Sequence, residues 1–60
     1  MAAKFNELRD AITEIEKDVN NFYNKGNKAA GTRVRKAMQT VKALAQEIRN
    51  EIQDIKNADS

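Results

Sequence analysis

The chain has 60 residues, with 11 Lys or Arg against nine Asp or Glu, and no histidine, cysteine or proline. That length holds at most one small domain, and the missing Cys and His remove disulfides, thiolate metal sites and the commonest general base. Chains this short bury too little apolar surface to be secure alone, so self-association is expected. No apolar run approaches the ~20 residues of a membrane span. Met1-Ala2-Ala3-Lys4-Phe5 does not lead into the apolar core of a secretory signal, so the expected location is the cytoplasm.

The first apolar set is Phe5, Leu8, Ile12, Ile15, Val19 and Phe22, at steps of 3, 4, 3, 4 and 3. This a/d heptad pattern predicts a helix over 3–24. Next comes Asn24-Lys25-Gly26-Asn27, which predicts a turn at 25–27. Glycine tolerates the left-handed conformation that ends helices, which suits Gly26. Asn27 can cap the following helix through its side-chain oxygen, with Thr32 as the rival cap. Gly31 then falls in the first turns, where it permits a close backbone approach.

A second apolar set follows: Val34, Met38, Val41, Ala45, Ile48, Ile52 and Ile55, at steps of 4, 3, 4, 3, 4 and 3. It predicts a helix over 28–57, with Ala37 and Leu44 widening the stripe on one flank. The two patterns are out of phase, which places the chain reversal between them. The expected fold is all-α, a single antiparallel hairpin domain of two long helices. At ~1.5 Å per residue these measure ~33 and ~45 Å, so the second overhangs at the open end. A lone hairpin covers each stripe on one side only and leaves Ile12, Ile15, Ile48 and Ile52 partly wet. Dimerisation into a four-helix bundle would cover them. The expected oligomer core is Phe5, Leu8, Ile12, Ile15, Val19, Phe22, Val34, Met38, Val41, Ile48, Ile52 and Ile55.

Charge is segregated along the chain. Residues 19–46 carry six cations (Lys25, Lys28, Arg33, Arg35, Lys36 and Lys42) and no carboxylate, while the other 32 residues carry nine carboxylates and five cations. A fold-back therefore makes one end of the hairpin cationic. Solvated helix faces commonly mix signs. Cations at a helix start also oppose the macrodipole, by ~0.3–1 kcal/mol each. Free N–H groups at the same place already favour anions. The pattern points to a polyanion, with Lys25, Asn27, Lys28, Arg33, Arg35, Lys36 and Lys42 as the phosphate-binding residues. Cations that wrap a tip grip phosphates but have few ways to read bases, so binding should be sequence-tolerant. Tyr23, beside the loop, is expected as a half-buried ring capping the bundle end, with a phosphate-bonding hydroxyl as its other reading.

The stretch Lys25-Gly26-Asn27-Lys28-Ala29-Ala30-Gly31-Thr32-Arg33-Val34-Arg35-Lys36 resembles an element of the bacterial linker-histone-like proteins of the chlamydial type. Gly26, Asn27, Lys28, Ala29, Ala30, Arg33, Val34 and Arg35 match it. The resemblance implies a non-enzymatic, nucleoid-associated DNA-binding protein, with duplex DNA as partner and RNA as the other polyanion. The chlamydial members continue into a long Lys/Ala-rich tail, whereas this sequence ends at Ser60 after an acidic helix end. The resemblance is therefore to a short, tail-less member. The acids Glu7, Asp10, Glu14, Glu47, Glu51 and Asp54 are expected to repel DNA from the open end and confine binding to the tip.

Two other classes compete. The same polarised hairpin could be a coiled-coil adaptor that assembles head to tail. Catalysis has little to build on. Glu14 and Asp18 lie four apart on one face, but no Glu-x-x-His motif, nucleophile or Gly-rich phosphate loop accompanies them. They read as solvated carboxylates, and neither metal nor cofactor is expected.

Overall fold

The backbone at Gly26 sets the topology. In the computed structural model, which describes residues 2–59, Gly26 has φ 66° and ψ 25°, the left-handed region that L side chains resist. The Gly26 N–H donates to the Phe22 carbonyl at 3.1 Å and the Asn27 N–H to the Asn21 carbonyl at 3.2 Å. These bonds satisfy carbonyls that a helix end leaves open. The next helix starts at once, because Asn27 Oδ1 accepts from the Ala30 N–H at 3.1 Å. Asn27 is thus the cap. Thr32 lies inside the helix and donates its hydroxyl to the Lys28 carbonyl at 3.3 Å.

The two helices are α1, Ala3–Lys25, and α2, Lys28–Asp59. They pack against each other as an antiparallel hairpin, a rod of 50 × 15 × 12 Å. Relative to the boundaries expected from sequence, α1 runs one residue past Asn24 and α2 two residues past Asn57. The greater length of α2 gives the overhang at the open end.

The seam between the helices is rotated by one row from the stripes read in the sequence. On α1 the half-buried residues are Lys4, Leu8, Ala11, Ile15, Asp18, Val19 and Asn21. Across from them, α2 presents Ala30, Val34, Ala37, Val41, Leu44, Ala45, Ile48 and Glu51, of which Ala30 is fully buried. Small residues at Ala11, Ala30, Gly31 and Ala37 let the helices approach, since side-chain size at the contact sets the interaxial distance. Gly31 takes this furthest. A Cβ there would lie 2.5 Å from Phe22 Cδ1 and 2.7 Å from Cε1, so the Phe22 ring occupies the space that a side chain would need.

The rotation leaves part of each expected stripe outside. Phe5 (52 % exposed), Ile12 (43 %), Met38 (41 %) and Ile52 (52 %) face solvent. Ile12, Val19 and Met38 line one groove, so the leftover rows of both helices share one side of the hairpin. The sequence expectation that Ile12 and Ile52 stay wet in a lone hairpin holds in the monomer. The expected half-buried Tyr23 does not: the residue is 75 % exposed in the hairpin, and its ring meets Phe22 edge-to-face at 5.1 Å.

Candidate nucleic-acid interface

The fold gathers the tip cations from both helices. Lys25 is the last residue of α1 and Lys28 the first of α2. Arg33, Arg35 and Lys36 follow within the first turns, and Lys42 lies farther along α2. The first turn of α2 holds no acid, so no side chain offsets the positive end of its macrodipole. Asn27 stands between the helices with its Oδ1 committed to the cap, and the residue is exposed.

The cations do not share one surface. Lys28 and Arg35 line a shallow groove with Phe22, Tyr23, Gly31, Thr32 and Val34. Arg33 lines the groove on the opposite side of the hairpin, with Glu14, Ile15, Asp18, Ala37 and Thr40. There its guanidinium makes a two-pronged contact with Asp18: Nε donates to Oδ2 at 3.0 Å and Nη2 to Oδ1 at 2.9 Å. This is the one ion pair among the described residues. The two hydrogen bonds hold the Asp18 carboxyl below the usual carboxylate range. Partial desolvation opposes that shift, and the charges of Arg33 and Lys17 reinforce it. The same contact raises the Arg33 pKa above its ordinary value.

Asp18 is therefore a clip between the helices, and its reading as a simple solvated carboxylate is corrected. Its side chain is only 21 % exposed. The sequence carried the signal, because Asp18 lies three residues after Ile15 and four before Phe22, in the row of Ala11 that faces α2. Lys25, Lys28, Arg35, Lys36 and Lys42 are all exposed. Among the described residues their side chains have no ion-pair or hydrogen-bond partner.

The class defined so far is a helical hairpin whose tip carries an exposed, unpaired group of cations beside a helix start without acids. The family model for histone H1-like protein Hc1 matches residues 2–58, and the chain belongs to that family of histone-like, DNA-binding nucleoid proteins. Neither the curated proteins nor the solved structures yield a match. Among the described residues no helix is long and apolar enough to cross a membrane.

Proposed function

We propose that the protein binds duplex DNA without sequence preference through phosphate contacts at the hairpin tip, as a nucleoid-associated, non-enzymatic protein. The observation that carries this reading is the set of unpaired cations around a helix start that has no acid of its own. Lys25, Lys28, Arg35, Lys36 and Lys42 supply charge, and the free amide of Asn27 supplies a neutral donor. Arg33 contributes through the nitrogen that Asp18 leaves free, and its main work is holding the helices together. About five phosphate contacts give a slope near −4.5 for log affinity against log salt, at about −0.9 per contact. Replacing Lys25 and Lys36 with Gln should lower that slope by about 1.8 and leave helicity unchanged. Unaltered binding by this variant in gel shifts would remove the tip from the account.

The apolar side fits a second copy of the hairpin. Phe5, Ile12, Met38 and Ile52 are each about half exposed, and covering them gains roughly 1 kcal/mol per side chain. In the dimer proposed here the hairpins run antiparallel, which separates the two cationic tips and lets one dimer bridge two DNA segments. The adaptor reading draws instead on the polarised ends, with the acidic open end of one hairpin meeting the basic tip of the next. It requires open-ended growth without DNA, which sedimentation at rising concentration distinguishes from a closed dimer.

A further inference from the structure

The charge separation along the chain has a counterpart across it. Seven-residue spacing keeps a residue at a constant position relative to the heptad seam. In α2 the residues at that spacing from Lys28 are Arg35, Lys42, Arg49 and Lys56, so one row is cationic from end to end. All five are exposed. The next row outward is Thr32, Gln39, Gln46 and Gln53, and the one after it is Ala29, Lys36, Ala43, Asn50 and Asn57. These three adjacent rows run along one flank and the back of α2, and the basic row borders the groove that Phe22 and Tyr23 of α1 line near the tip. The three rows hold six cations and no carboxylate.

The acids of α2 lie elsewhere. Glu51 is half-buried in the row that faces α1. Glu47 and Asp54 extend the row of Arg33 and Thr40, which lies on the Asp18 side of the hairpin. From Lys28 to Arg49, no cation of the basic row has a carboxylate three or four residues away, the only spacings that bring helix side chains together. Lys56 alone has one in sequence, Asp59. The back of α1 is an internal contrast, since it mixes Arg9 and Lys17 with Asp10 and Glu16.

We infer that this flank and back of α2 are a full-length docking track for duplex nucleic acid, running from the tip to the open end. This rests on the phosphate-binding reading of the tip and extends it to Arg49 and Lys56, beyond the stretch that sequence reading assigned to DNA. Lys28 and Lys56 are ~42 Å apart along the helix, which matches about 12 base pairs of duplex. The α2 acids Glu47, Glu51 and Asp54 lie outside these three rows. A second hairpin seated on the apolar side leaves the track accessible, since the basic row flanks Met38, Ala45 and Ile52 without including them. The only carboxylate in the corresponding row of α1 is Glu16, so such a neighbour cannot neutralise five cations, whereas a phosphodiester backbone can.

The test is a salt-titrated affinity series on duplex DNA with four chains: wild type, Arg49→Gln/Lys56→Gln, Lys25→Gln/Lys36→Gln and Arg9→Gln/Lys17→Gln. Each double variant removes two charges, and glutamine is a good helix former. Two added contacts make the wild-type slope about −6.3. The Arg49/Lys56 variant should return it to about −4.5, while the Arg9/Lys17 variant keeps the wild-type slope. If the Arg49/Lys56 variant matches the Arg9/Lys17 variant while Lys25/Lys36 loses affinity, the track is wrong and the tip stands. If wild type itself fails to bind at low salt, both readings fall.

Discussion

Gly26 and Gly31 are glycines for different reasons. Gly26 needs its left-handed backbone, although a Cβ there would meet nothing within 4 Å. Gly26→Ala should therefore cost about 1–2 kcal/mol through backbone strain alone. In a domain this small, thermal melting should show a fall of roughly 4–8 °C per kcal/mol. Gly31 has ordinary helical backbone, and alanine would raise its helix propensity by about 1 kcal/mol. The Phe22 ring occupies the space, however, and overpacking costs about 1–3 kcal/mol. Gly31→Ala should lower stability on balance and alter the signal of Tyr23, the only tyrosine, which rests on Phe22. Asp18 gives the pH dependence. Its pKa lies below the ordinary 3.8 in the folded chain, so its stabilisation is present above that value and is lost as pH falls through the lowered one. Acid titrations followed by circular dichroism should show Asp18→Asn less stable than wild type at neutral pH, with the difference closing in strong acid.

At the scale of the helices, the sequence made the hairpin legible because its punctuation is local. The phase shift between the two apolar patterns, the glycine at the turn and the asparagine cap all act within a few residues. Side-chain direction across the seam was less legible. Heptad counting ranks residues by hydrophobicity, so it favoured Phe5, Ile12, Met38 and Ile52 over Ala11, Ala30 and Asp18. The fold instead puts the small residues between its helices, where close approach needs them, and leaves the large ones on one side. Those large side chains are the part of the expected oligomer core that the monomer does not use. Ile12→Asp or Met38→Asp should abolish the proposed dimer with little change in monomer helicity, because neither residue is buried in the hairpin. Analytical ultracentrifugation checks this. A variant that sediments as wild type would mean that the apolar side is not the contact between copies.

For the whole molecule, charge is sorted twice. Along the chain, residues 19–46 carry only cations. Around α2, one flank and the back carry cations and amides while the acids lie outside those rows. The first sorting could be read from the order of residues. The second emerged once the facing rows of α1 and α2 were known, since a row has meaning only relative to a seam. Asp18 and Arg33 bridge that seam near the tip. This sorting of charge places the energetics of DNA binding in counterion release, with little left for base recognition. The most direct measurement is the affinity of the wild-type chain for duplex DNA of mixed sequence as salt is raised. A straight log–log fall with a slope of about −4.5 or steeper, alike for unrelated sequences, is the expected result. A flat response, or affinity that depends on sequence more than on salt, would contradict it.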